Sequence, residues 1–183
     1  MSRSRRLFFG IFPPAPVRKR LVALQDAWVR RGSRHHPFDL HMTLLFIGMS
    51  DRMACLETMA SEIRLPPFAI RIDTIDYWRR PKVLLAGASQ VPESLSTLVT
   101  ALNEGARSCD FTPETRPYRP HVTLSRRSMP VESLRIEPID WHVDEFCLVW
   151  SRDGIGTPRY QSIARWKLAV ETARDAGSNQ PLS

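Results

Sequence analysis

Two tetrapeptides in this chain share one pattern, His41-Met42-Thr43-Leu44 and His121-Val122-Thr123-Leu124, and the second begins 80 positions after the first. Each follows a polar, proline-containing stretch and opens a short run of strand-forming residues. In an extended strand, residues i and i+2 point to one face. Each His therefore projects beside its own Thr, while Met42 or Val122 turns toward a core. Two such pairs facing each other would set two imidazoles and two hydroxyls around one small anion. That inventory suits hydrolysis of a strained cyclic phosphodiester. A neutral imidazole takes a proton from the attacking water and a protonated one gives a proton to the departing oxygen. The hydroxyls hydrogen-bond the non-bridging oxygens as charge builds on them. An imidazole titrating near pH ~6.5 can play either part. A lone His at a strand start is ordinarily only a polar strand end; the repetition in one context is what points to chemistry. Two His are too few to hold a metal and spacing specifies no third ligand, so the expectation is no metal and no other cofactor.

Arg126 is the next candidate. It ends the strand begun by His121, where a guanidinium can clamp a phosphate through two hydrogen bonds; a solvated Arg pair at a strand end is the bland alternative. Arg116, Arg119 and Arg127 read as electropositive lining. Phe9, Phe38, Tyr77 and Trp78 can stack a base or simply fill a core. His35 and His36 fall on the polar loop before His41 and read as solvated, and His142 as structural. Cys55, Cys109 and Cys147 are widely spaced and odd in number, which suggests idle or buried thiols rather than a disulfide framework or a zinc site.

The elements that must position these residues follow from periodicity. Residues 6–12 read as a buried strand, and 16–31 as a helix carrying Val17, Leu21, Leu24 and Trp28 on one face. A loop leads to the His41 strand, closed by Gly48. A helix over 51–63, an alternating strand over 67–78 and a strand over 82–86 make a hairpin unit. The second half repeats the plan: a helix over 92–108 built on Leu95, Leu98, Val99, Leu102 and Ala106, then a loop, then the His121 strand. Strands over 136–143, 146–151 and 159–168 close the chain. The expectation is one α+β domain over 1–172, followed by a flexible tail over 173–183.

The charge is +7, from 26 Lys plus Arg against 19 Asp plus Glu. Such a surface favours polyanions. The apolar runs are too short to cross a bilayer and no signal peptide is read at the basic start, so a cytoplasmic protein away from membranes is expected.

At these residues the chain resembles the two-histidine phosphoesterase superfamily, and within it the LigT-like RNA 2′,3′-cyclic phosphodiesterases also known as 2′-5′ RNA ligases. The resemblance rests on residues 40–48 (LHMTLLFIG), residues 80–87 (RPKVLLAG) and, most specifically, residues 116–126 (RPYRPHVTLSR). It extends from about residue 5 to 168. It implies a bilobal, duplicated fold with two antiparallel sheets facing across a central cleft and helices outside. It implies action on RNA ends or small cyclic-phosphate nucleotides, opening a terminal 2′,3′-cyclic phosphate to a 2′-phosphate; a monomer is expected. His41 would be the general acid and His121 the general base, with Thr43, Thr123 and Arg126 on the phosphate; the residues themselves also allow the reverse assignment. Phe9, Phe38 and Arg119 are further candidate contacts. The reverse 2′-5′ joining, cleavage of 2′-5′ oligonucleotides and non-catalytic RNA binding are the competing functions. The last would call for a degraded motif, and both are intact.

Overall fold

Strand β1 (Arg5–Ile11) is buried on both faces from Leu7 onward, which suits its central place in a sheet. A computed structural model describes residues 4–112, 116–152 and 158–169; the expected tail over 173–183 lies outside them. After β1 come α1 (Ala15–Trp28), β2 (Ser33–Arg34), a 3-10 turn (Pro37–Asp39), β3 (Met42–Ser50), α2 (Met53–Ser61), β4 (Phe68–Trp78) and β5 (Val83–Gly87). Then follow α3 (Glu93–Arg107), β6 (His121–Arg126), β7 (Leu134–Val143), β8 (Glu145–Ser151) and β9 (Tyr160–Lys167). The fold is α+β, and every ladder in it is antiparallel.

The two sheets expected from the sequence are joined into one, in the order β7-β4-β5-β6-β3-β1-β8-β9, with β2 added on β6. The join between β3 and β6 is a single pair, Met42 with Val122. So short a ladder would be a weak seam on its own. The helices reinforce it by crossing over. Helix α1 links β1 to β3 yet packs on β6 and β7, and α3 links β5 to β6 yet packs on β3. One apolar cluster therefore runs through both halves, with Leu7, Met42, Leu98 and Val122 all fully buried in it. Each such Leu contributes about 2 kcal/mol by leaving water.

Helix α3 follows the sequence reading, with Leu95, Leu98, Val99, Leu102 and Ala106 on its buried face. Helix α2 lies against it, and Gly105 admits Met59: a methyl group on that glycine would meet the Met59 sulfur at 3.1 Å. This docking corrects the reading of the cysteines. Cys55 on α2 and Cys109 just beyond α3 are disulfide-bonded across a separation of 54 residues, and Cys147 is the free, buried thiol. Sequence spacing alone gave no sign that two helices would bring them together. No helix among the described residues is long and apolar enough to cross a membrane.

Candidate active site

The pairing of Met42 with Val122 builds the site. Both side chains are fully buried on the helix-covered face. The residues on either side, His41, Thr43, His121 and Thr123, are only partly buried and share the opposite face. In an antiparallel pair this register sets His41 beside Thr123 and Thr43 beside His121. The four side chains form the expected two-by-two array.

Both imidazoles are held the same way. Nδ1 of His41 lies 2.7 Å from the carbonyl oxygen of Asp39, and Nδ1 of His121 lies 2.7 Å from that of Arg119. A carbonyl only accepts, so Nδ1–H donates in each case. That fixes the tautomer and leaves Nε2 as the nitrogen without the proton. Each ring also packs on aromatics. Phe8 and Tyr160 lie 4.8 and 4.6 Å from His41 between centroids, and Trp78 lies 4.5 Å from His121. Burial pushes His41 down to about 4, with His35, His121 and Arg126 acting in the same direction and the Asp39 carbonyl opposing. Burial and then Arg126 also lower His121, against the Arg119 carbonyl. Both shifts favour the neutral imidazole near pH 7.

Arg126 reaches this face because of an irregularity. Leu85 pairs with Thr123 but Leu84 pairs with Ser125, so β6 carries one extra residue, Leu124. Strict alternation would send Arg126 to the face of Val122. The bulge returns it to the face of His121 and Thr123. Its charge is felt by His35, His41, His121 and Tyr160. The bulge is clamped from behind by Gln25, a buried side chain of α1 whose Nε2 donates to Leu124 O at 2.8 Å and His35 O at 2.9 Å. Gly32, with φ of 113°, passes so close that a methyl group on it would lie 2.6 Å from Arg126 O.

Several sequence expectations change here. Phe9, expected as a candidate contact, is fully buried against Phe146 and Trp166, and it is its neighbour Phe8 that faces His41. His35 is not solvated. Its amide donates to Leu124 O, and burial, then Arg126, lower its pKa to about 4. Phe38 stays exposed on the rim, stacked by His36 and covered by the Arg18 guanidinium at 4.5 Å. Arg119 contributes its carbonyl to His121, and the residue lines a cavity of about 540 Å³ with Thr43, Trp78, Asn103 and Tyr118. A second cavity of about 560 Å³ opens on the His41 side, against Phe12, Arg18, Phe38 and Tyr160. Tyr77 is committed elsewhere, donating to Ser128 O, and His142 is exposed on β7.

Three supporting residues lie beyond those the sequence singles out individually. The buried carboxylate of Asp39 accepts from the amides of Arg159 and Tyr160 at 2.7 and 3.1 Å, which fixes Tyr160 against His41. Tyr118 donates its hydroxyl to Thr43 O at 2.9 Å, tying the second motif's loop to the first motif's strand. Gln25 is the third. Among the described residues no group of three His, Cys, Asp or Glu is placed to hold a metal ion.

The partly buried imidazoles carry a stability consequence. His35, His41 and His121 are kept neutral in the fold but bind protons in the unfolded chain below its pKa of ~6.5. The unfolded state then holds more protons, so stability is full above that pH and falls on acidification toward pH 4. Denaturant unfolding at pH 7 and pH 4.5 should show a loss on the order of a few kcal/mol, reduced in a His35→Gln variant. Equal stability at the two pH values would contradict the burial of these rings.

A family profile described as the 2′-5′ RNA ligase superfamily matches residues 13–155. A protein of Escherichia coli (strain K12) named RNA 2′,3′-cyclic phosphodiesterase is 30% identical over 174 residues, covering 92% of this chain and 99% of that protein. A protein of the same name from Thermus thermophilus is 31% identical over 189 residues, covering 93% of each. The crystal structure of E. coli LigT complexed with 3′-AMP matches with a TM-score of 0.81 at 30% identity, covering 91% of this chain and 99% of that one.

Proposed function

The chain belongs to the 2′-5′ RNA ligase superfamily, and on that premise we propose that it is an RNA 2′,3′-cyclic phosphodiesterase working through His41 and His121 without a metal. The observation that carries the mechanism is the matched pair of imidazoles. Each has Nδ1 tied to a backbone carbonyl and Nε2 left for proton transfer. The relative crystallised with 3′-AMP supports a nucleotide as the ligand of this scaffold.

The terminal cyclic phosphate sits between the two Nε2 atoms, with Thr43, Thr123 and Arg126 on its non-bridging oxygens. His121 takes a proton from water as the water oxygen attacks phosphorus. The bond from phosphorus to the 3′-oxygen breaks, and His41 delivers its proton to that oxygen. The products are a 2′-phosphate and a free 3′-hydroxyl. One proton has moved from His41 and one to His121, so exchange with solvent resets the pair. Since burial and Arg126 favour the neutral form of both rings, the acid's proton is taken up with the anionic substrate, which also offsets the Arg126 charge that opposes it. Joining to a 2′-5′ linkage is the same displacement with a ribose 5′-hydroxyl in place of water, and dilute aqueous solution favours hydrolysis.

An oligoribonucleotide ending in a 2′,3′-cyclic phosphate should be converted to the 2′-phosphate, at a rate unaffected by EDTA. A 3′-phosphate product would mean that the other ester bond breaks. Loss of turnover with the chelator would overturn the metal-free mechanism.

A further inference from the structure

A group of cations outside the histidine pair stands where β6 ends, and three segments meet there. Arg30 and Arg31 follow α1, after which Gly32 passes against the Arg126 and Arg127 carbonyls and Ser33 pairs with Arg126. From the other side Val83 pairs with Arg126, and the Ser128 amide donates to Lys82 O at 3.1 Å. That bond holds the β4–β5 hairpin tip, Arg79, Arg80 and Lys82, against the same strand end. Arg30, Arg31, Arg79, Arg80, Lys82 and Arg127 are all exposed, and none forms an ion pair with another described residue. The acids on the same segments are engaged elsewhere: Asp26 pairs with Arg34, and Asp76 accepts from Ser133 and the Tyr77 amide.

A cluster of one sign repels itself, and a polyanion relieves that repulsion. This cluster is also continuous with the cleft. Arg126 belongs to both, and Trp78, next to Arg79, packs its ring on His121. A polyanion lying here therefore reaches the reacting phosphate without a gap. We propose that the cluster is the track for the RNA strand on the 5′ side of the terminal cyclic phosphate, so that the site prefers polynucleotide ends to mononucleoside cyclic phosphates. The inference rests on the phosphodiesterase reading above. An anionic lipid surface would meet the same charges, but it would not continue into a cleft that holds a phosphodiester.

The test compares adenosine 2′,3′-cyclic phosphate with an oligoribonucleotide of about ten residues ending in the cyclic phosphate, a length within the usual single-strand site sizes. The proteins are wild type, an Arg30→Ser/Arg31→Ser/Arg79→Ser/Lys82→Asn variant, and a control with Lys at the three Arg positions. Asn is chosen at Lys82 because φ there is 66°. Wild type should show a kcat/KM for the oligomer at least about tenfold above the mononucleotide. Its log–log salt slope should steepen by about 0.7 for each phosphate engaged. In the neutralised variant the preference and the slope should collapse while mononucleotide turnover and Tm hold, and the Lys control should keep both. No length preference in wild type, or the same preference in the neutralised variant, would overturn the track; binding of phosphatidylserine vesicles without a length preference would assign the cluster to a membrane surface instead. If neither substrate turns over, it is the reading of the site that fails. Binding of the same oligomer then decides the track, with equal affinity in the two proteins overturning it and loss in the variant supporting it.

Discussion

His41→Ala and His121→Ala should each lower kcat for opening a 2′,3′-cyclic phosphate by about 10²–10⁴-fold, the usual worth of a positioned proton donor or acceptor. The double variant should be little worse than either single one, because the two rings act as a unit in one displacement. Folding should survive, since both rings are only partly buried and, among the described residues, each is hydrogen-bonded to a single carbonyl oxygen. The two losses separate chemically. An aryl phosphodiester leaves without needing a proton, so on that substrate His41→Ala should recover much of its rate while His121→Ala should not. Rescue of His121→Ala instead would exchange the two roles. Near-normal turnover of the cyclic phosphate by both variants would remove the two-histidine mechanism altogether.

How far the sequence carried this reading depended on how local each feature was. The H-x-T pairs were legible because strand alternation is a local rule, and Met42 and Val122 obey it, fully buried between partly exposed neighbours. Helix α3 was legible for the same reason. Strand β1 was legible as a buried strand but its facing was not, because Leu7 to Ile11 are buried on both faces. With no polar phase to read, Phe9 and Phe8 could not be told apart, and only the structure shows that Phe8 faces His41. His35 was misread because its burial comes from docking onto the end of β6, 89 residues away in sequence at Leu124. The Cys55–Cys109 pair depends in the same way on one helix meeting another. Asp39 was hidden by its type. A carboxylate beside a motif suggests chemistry, yet this one binds two backbone amides and serves by placing Tyr160.

Arg126 joins the two levels, since its candidacy came from position and its aim comes from the bulge. Arg126→Ala should lower kcat/KM by about 10- to 150-fold, the range for losing a hydrogen bond to a charged group. Arg126→Lys should recover only part, because an ammonium keeps the charge but not the two-pronged geometry. The sign of a second readout is fixed by the same residue. Arg126 lowers His35, His41 and His121, so its removal should raise all three imidazole titrations in the free protein, seen by NMR, even as activity falls. On the proposed role a phosphate clamp and a depressant of these rings are one group, and a merely structural Arg would move activity without moving the titrations. Gly32→Ala tests the aim separately from the charge. Its positive φ disfavours any side chain, and the added methyl group would press on Arg126 O and Ser125 Oγ. It should cost about 1–3 kcal/mol of stability and lower activity with Arg126 still present. If Arg126→Ala leaves both turnover and the histidine titrations unchanged, the guanidinium does not serve the cleft, and the bulge at Leu124 has some other reason.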